Sequence, residues 1–165
     1  VNGATRGDAA GVLFLMSLAM LAGFLFVATC ATGLARRGIT PMALLRAGMG
    51  LALVVELAIL LGLAPPAWLW TVLGLSFSLG NIAYSQLTAA FPVALSGRVN
   101  TALNLLVFMG AFCLQWGIGA AVDGFVASGM VRADAFQSTL GCLLVVQVLA
   151  FVWFLLPVKA LAVQR

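Results

Sequence analysis

Polar side chains recur at helical spacing in two long apolar stretches of this chain. In the first, between residues 67 and 90, the small or polar residues are Gly74, Ser78, Asn81, Ser85 and Thr88, with Tyr84 and Gln86 beside them. In the second, between residues 99 and 122, the members of one face are Asn100, Asn104, Phe108, Ala111 and Gln115. Steps of three and four residues place each set on one side of a helix.

Two interpretations of these faces stay open. Small residues let helices approach closely, and amides hydrogen-bond across helices, so the faces can serve packing alone. Alternatively, they form the polar wall of a cavity through which a solute passes. Amides facing lipid would be costly, so either interpretation turns the second face inward. The candidate residues for a substrate cavity are Asn81, Tyr84, Ser85, Asn104 and Gln115.

Glu56 is the only acidic residue inside an apolar stretch. A charged side chain at the centre of a bilayer costs roughly 2.5–3.5 kcal/mol on insertion scales, so a carboxyl group kept there marks a functional position. We therefore take Glu56 as a candidate for proton coupling, although no basic residue within the apolar stretches is an obvious partner. Gln147 stands alone on another apolar stretch and is expected to hydrogen-bond a neighbouring helix.

The residue sets of common enzymes and metal sites are missing from the sequence. The chain has no histidine, which removes the commonest proton shuttle and metal ligand. It has no Ser-His-Asp set, paired acidic motif, metal-ligand spacing or glycine-rich phosphate loop. Its cysteines, Cys30, Cys113 and Cys142, fall inside apolar stretches and are expected to be small buried side chains. The sequence predicts no enzyme activity, no catalytic residue, no metal and no cofactor.

Composition indicates what surrounds the elements that carry these residues. Hydrophobic residues make up 64% of the chain and charged residues 7%, with a mean hydropathy of +1.21. A soluble domain of 165 residues needs far more charge on its surface, so lipid must be the main partner. Only helices and closed barrels cross lipid, and long unbroken apolar runs favour helices. The net charge of +4 is spread over short loops, which argues against nucleic-acid binding.

Five apolar segments reach the roughly 20 residues that a membrane-spanning helix needs. The sequence predicts an all-α membrane protein with spans at about residues 9–35, 41–63, 67–90, 99–122 and 136–156. The loops between them are too short for a soluble domain, so residues 1–165 are expected to form a single, incomplete transmembrane domain. The first eight residues lack the regions of a signal peptide. We expect them to be a loop entering the first span, with further sequence upstream.

Basic residues in the loops predict the orientation of the chain. One side holds six basic residues and no acidic ones: Arg36, Arg37, Arg46, Arg98, Lys159 and Arg165. The other side holds Arg6 and Arg132 with Asp8, Asp123 and Asp134. Because basic loops stay in the cytoplasm, the C-terminus is predicted to be cytoplasmic and the N-terminus outside.

The cytoplasmic loop Ala31–Ile39 resembles the second-half copy of the signature loop of the major facilitator superfamily. That signature carries a glycine, an aspartate four residues later, an arginine, one free position and a second glycine. Arg36 and Gly38 match the arginine and the second glycine, whereas Ala31 and Ala35 stand at the first glycine and the aspartate. The missing aspartate counts against a charge-relay role in gating.

A second stretch also resembles bacterial members of that superfamily. In residues 91–104, a proline and a Gly-Arg pair precede an asparagine-bearing helix, which ends in the glycine-rich segment 110–119 and Asp123. The resemblance implies that the five spans are the eighth to twelfth helices of a twelve-helix transporter in the bacterial inner membrane. It places the third and fourth spans at the central cavity and puts Glu56 on a peripheral helix.

The resemblance thus implies the C-terminal part of a secondary active transporter, which moves a small solute by alternating access. Its partners would be the missing N-terminal helices of the same transporter, the lipid bilayer and a small-molecule substrate. The alternative is a structural or assembly subunit of a membrane complex, in which the polar faces only pack helices. A membrane-embedded lipid enzyme is disfavoured because catalytic groups are missing.

Overall fold

The computed structural model describes residues 6–63 and 66–156, and the regular structure of these residues is helical. The elements are α1 (Arg6–Arg36), α2 (Pro41–Leu60), α3 (Pro66–Gly80), α4 (Ile82–Ala89), a 3₁₀ turn (Val93–Leu95), α5 (Ser96–Ala127) and α6 (Arg132–Leu155). The prediction of an all-α protein is confirmed for this part of the chain.

Four helical segments are long and apolar enough to cross a membrane. They are Gly7–Cys30 within α1, Pro41–Leu60, Val93–Ala127 and Arg132–Leu155. Their outer surfaces carry large apolar side chains: Phe14, Phe112 and Trp153 are 68%, 70% and 76% exposed. So much contiguous apolar surface is energetically unfavourable in water. The helices are therefore those of a multi-pass membrane protein.

The predicted third span is not one continuous helix, because the structure divides these residues into two shorter helices. α3 has 15 residues and α4 has 8, and Asn81 separates them. The Asn81 N–H reaches the carbonyl of Ser78 at 3.4 Å, and the Tyr84 N–H donates to the carbonyl of Asn81 at 3.1 Å. These bonds join residues three apart, which tightens the helix locally. The other predicted spans match α1, α2, α5 and α6, although α5 extends beyond both predicted ends.

Close helix packing centres on α3, which contacts both α1 and α2. A side chain at Gly74 would collide with the backbone of Met16 in α1, and one at Gly23 would collide with Ser78. On the α2 side, Gly48 lies directly against Leu79. Gly74 and Ser78 are both buried. The first half of the predicted polar face therefore serves helix packing.

The remaining helices form a continuous set of contacts around α2. α2 packs against α6, α6 against α5, α5 against α4, and α4 against α2. At one end, the Arg46 guanidinium lies 5.9 Å from the centre of the Phe154 ring. At the other end, the Gln137 side chain donates a hydrogen bond to the carbonyl of Leu60 at 2.9 Å. α2 and α6 are therefore antiparallel.

Charged residues separate towards the two ends of this arrangement. The Arg132 side chain pairs with Asp123 at 3.7 Å where α5 turns back into α6, so α5 and α6 are also antiparallel. The start of α5 then lies at the same end as the start of α2. This end holds Arg36, Arg37, Arg46 and Arg98, whereas Asp123 and Asp134 lie at the other. Lys159, Arg165 and the side chain of Arg6 lie outside the described residues.

The turn between α1 and α2 is built by helix capping. Gly38 has a φ of +83°, its N–H donates to the Ala35 carbonyl, and the Ile39 N–H donates to the Leu34 carbonyl. This pattern ends α1 in a motif that favours glycine because a side chain would strain that φ. The hydroxyl of Thr40 then accepts the Ala43 N–H at 3.1 Å and starts α2. Capping thus accounts for Gly38 without a gating role.

Arg36 lies in the last turn of α1 and is exposed. A positive charge there interacts favourably with the carbonyl groups at a helix C-terminus. Both residues that match the transporter signature therefore have a structural explanation.

Candidate functional site

Two of the predicted cavity residues meet where α4 packs against α5. The Tyr84 hydroxyl donates to Oδ1 of Asn104 at 3.1 Å, and the Thr88 hydroxyl donates to Oδ1 of Asn100 at 2.9 Å. Tyr84 and Thr88 are four residues apart, as are Asn100 and Asn104, so each pair lies on one face of its helix. We call these four residues the α4–α5 ladder.

The ladder leaves hydrogen-bond donors unused. Each asparagine accepts through its oxygen, and the NH₂ groups of Asn100 and Asn104 donate to no other group among the described residues. Both asparagines are exposed. Gln115 lies about three turns further along the same face of α5, and it is also exposed. This side of α5 therefore presents amide groups to whatever adjoins it.

The other predicted cavity residues do not join the ladder. Asn81 is exposed at the break between α3 and α4, and its side chain caps no helix. The Ser85 hydroxyl donates to the carbonyl of Ile82 at 2.9 Å, a bond within its own helix. The structure brings Tyr84 and Asn104 together and leaves Asn81, Ser85 and Gln115 without a side-chain hydrogen bond to another described helix.

Glu56 lies in a separate cleft of ≈ 270 Å³ between α2, α3 and α6. We call it the α2–α3–α6 cleft. Gly48, Ala52 and Glu56 follow one another at steps of four along α2 and line one side of it. The first two have little or no side chain, which leaves room beside the carboxyl group. This pattern is a signal that sequence reasoning could have found.

Gln147 of α6 lines the same cleft, with its amide beside Glu56. This places Gln147 against α2, and the hydrogen bond to a neighbouring helix stays a prediction. At 1.5 Å per residue, Glu56 lies about 8 Å from the middle of α2, and Gln147 about 5 Å from the middle of α6. No basic side chain among the described residues pairs with Glu56. The carboxyl group thus lies in the C-terminal half of α2, without a counter-charge among the described residues.

The rest of the cleft is mainly apolar. Phe77 of α3 and Phe151 of α6 line it, and they are absent from the sequence-based candidates. The Ser76 hydroxyl is buried and donates to the carbonyl of Val72 at 2.9 Å, so its own proton is already used. The cleft therefore offers one acidic group, one amide and two aromatic rings.

The chain matches no protein-family model, no curated protein and no solved structure. Within the described residues, no group of three or more His, Cys, Asp or Glu side chains is placed to hold a metal ion. The features of the described residues that bear on function are the ladder, the cleft and the helices that carry them.

The cysteines correct one sequence-based expectation. All three are free thiols, but Cys113 and Cys142 are exposed and Cys30 is half-buried. The expectation of buried cysteines is wrong for Cys113 and Cys142. Both line a shallow depression of ≈ 200 Å³ between α5 and α6, which no other described helix covers.

Proposed function

We propose that this chain is the C-terminal part of a secondary active transporter, which moves a small solute across the membrane by alternating access. The observation that carries the proposal is the exposed amide face of α5, formed by Asn100, Asn104 and Gln115. An amide placed in an apolar environment without a hydrogen-bond partner costs roughly 2–7 kcal/mol. Lipid tails are therefore unfavourable neighbours of this face, and a water-filled cavity would provide partners for its donors.

The ladder also gives the cavity a chemical preference. Its side-chain oxygens on α5 are occupied by the hydroxyls of Tyr84 and Thr88, whereas the NH₂ groups of Asn100 and Asn104 stay available. A solute with carbonyl, carboxylate or hydroxyl oxygens provides acceptors for these donors. We therefore expect a small polar solute rich in acceptor oxygens.

The proposal includes five crossings, with α3 and α4 together forming one of them. The backbone at Asn81 keeps right-handed helical angles (φ −63°, ψ −18°), so the two helices continue in one direction with a local irregularity. Interrupted helices are common at transporter binding sites. With five crossings, the arginine-rich end lies in the cytoplasm of a bacterial cell, the N-terminus lies outside, and the arrangement corresponds to the eighth to twelfth helices of a major-facilitator-type protein.

The alternative function is a structural or assembly subunit of a membrane complex. The exposed amides would then hydrogen-bond to a helix of a partner protein, and no water would reach them. The same exposed face of α5 supports this alternative, so the distinction depends on what covers Asn104 and Gln115 in the membrane.

Transport measurements on substituted proteins test the proposal. Uptake and efflux of a panel of sugars, amino acids, organic acids and antibiotics are compared in cells with and without the protein. For a solute that the protein moves, Asn81→Ala and Gln115→Ala are expected to lower the rate several-fold at unchanged membrane expression, because each removes a polar group from the cavity.

The matched control is Leu105→Ala, on the apolar face of α5, which is expected to keep the original rate. Unchanged transport in both polar variants would contradict the assignment of this face as a cavity wall. Failure to move any member of the panel, in a protein that is inserted and stable, would favour the assembly subunit.

A further inference from the structure

The carboxyl group of Glu56 has no basic partner among the described residues. It lies in the α2–α3–α6 cleft beside the uncharged amide of Gln147, and none of the basic side chains that the structure describes lines this cleft. An acidic side chain within membrane-spanning helices is costly and is retained where it binds something. A positively charged group that entered the cleft would therefore meet an acidic side chain with no described basic partner.

The walls of the cleft indicate the kind of positive charge. A hard metal cation takes six or more oxygen ligands, whereas this cleft offers one carboxyl group and one amide. Phe77 and Phe151 instead provide aromatic surface, which attracts organic ammonium groups by cation–π interaction and binds apolar groups by contact. The cleft therefore complements a ligand that has one positively charged group and one apolar part.

The volume of the cleft limits the size of that ligand. Sites for drug-sized molecules measure about 300–1,000 Å³, and this cleft measures ≈ 270 Å³. A single-ring amine or quaternary ammonium compound fits this space, and a large multi-ring compound does not.

We propose that the α2–α3–α6 cleft binds a small monovalent organic cation. The positive nitrogen lies against the Glu56 carboxylate, and the apolar part packs beside Phe77 and Phe151. The inference goes beyond the transport proposal and does not depend on it, because the cleft shares no residue with the α4–α5 ladder.

Binding of a matched pair of probes tests the proposal. Phenyltrimethylammonium and tert-butylbenzene have nearly the same shape, but only the first carries a charge. Equilibrium dialysis of the full chain in lipid nanodiscs, against empty nanodiscs, measures how much of each probe the protein binds. Saturable binding of the cation is expected, with at least tenfold preference over the neutral probe.

Substitutions in the cleft assign that binding to Glu56. Glu56→Gln keeps the shape of the side chain and removes its charge, so it is expected to lower the affinity for the cation at least tenfold. Phe77→Leu removes an aromatic wall and is expected to lower the affinity several-fold. Asn104→Ala, in the ladder, is expected to leave cation binding unchanged.

Three results would overturn the proposal: no saturable cation binding, equal affinity for the two probes, or equal cation affinity in the original and Glu56→Gln proteins. Circular dichroism of each variant checks that the helices are intact. If the Glu56→Gln protein loses its helices, the proposal is tested by the cation affinity of the Phe77→Leu protein and by the comparison of the two probes. Failure here leaves the ladder and the transport proposal untouched, since their tests use other residues and other solutes.

Discussion

The side-chain partner of a polar residue in this chain depends on which helix packs against it. Tyr84, Asn104 and Glu56 could be selected from the sequence, because polar groups inside apolar stretches are rare and costly. Their partners could not be selected in the same way. The bond from Tyr84 to Asn104 joins residues 20 apart, and the contact between Glu56 and Gln147 joins α2 to α6. Such pairings depend on how helices pack, which the spacing within one helix does not specify.

The hydrogen bond between Tyr84 and Asn104 is measurable as a coupling energy. Double-mutant cycles of hydrogen bonds between membrane helices average about 0.6 kcal/mol, with a maximum near 1.7 kcal/mol. We expect a cycle of Tyr84→Phe and Asn104→Ala to give a coupling of about 0.6 kcal/mol in the free energy of unfolding, measured in mixed micelles. A cycle of Tyr84→Phe with Gln115→Ala is the control and should give no coupling. Equal coupling in both cycles would mean that the ladder bond is not formed.

Helices could be predicted from the sequence where the length of an apolar run alone is enough to indicate them. Four of the predicted spans match long helices, since a run of apolar residues with few charges is sufficient to indicate a membrane helix. The interruption at Asn81 was not predicted, because it lies inside an otherwise suitable run and depends on hydrogen bonds between residues three apart. The division of the polar face was also hidden, because Gly74 and Ser78 face α1 whereas Tyr84 and Thr88 face α5.

The contact between α1 and α3 predicts opposite effects for two glycine substitutions. A side chain at Gly74 meets the backbone of Met16, whereas one at Gly110 in α5 meets nothing within 4 Å. We expect Gly74→Ala to destabilise the protein by about 1–3 kcal/mol through overpacking. Gly110→Ala is expected to be neutral or stabilising by up to about 1 kcal/mol, because alanine favours the helix. Unfolding of both variants in mixed micelles measures the difference, and equal stability would contradict the close approach of α1 and α3.

Two patterns extend over the molecule as a whole: basic and acidic residues are concentrated at opposite ends, and amide and apolar side chains lie on different sides of α5. Along the helices, Arg36, Arg37, Arg46 and Arg98 lie at one end, whereas Asp123 and Asp134 lie at the other, where Arg132 pairs with Asp123. Around α5, the amides of Asn104 and Gln115 lie on one side and apolar residues such as Leu105 lie on another. The sequence predicts both patterns because each follows from position along a helix. It does not specify which further molecule or cavity meets the amide face.

The most direct test of the proposed cavity is water access to that face inside a native membrane. Single cysteines are placed at residues 104, 115 and 105 after Cys30, Cys113 and Cys142 have been replaced by alanine. A small, membrane-impermeant, positively charged thiol reagent is then applied to each side of the membrane. We predict that the cysteines at 104 and 115 react and that the one at 105, on the lipid side, does not. Protection of the cysteines at 104 and 115 from both sides, in a protein that is correctly inserted, would contradict the account.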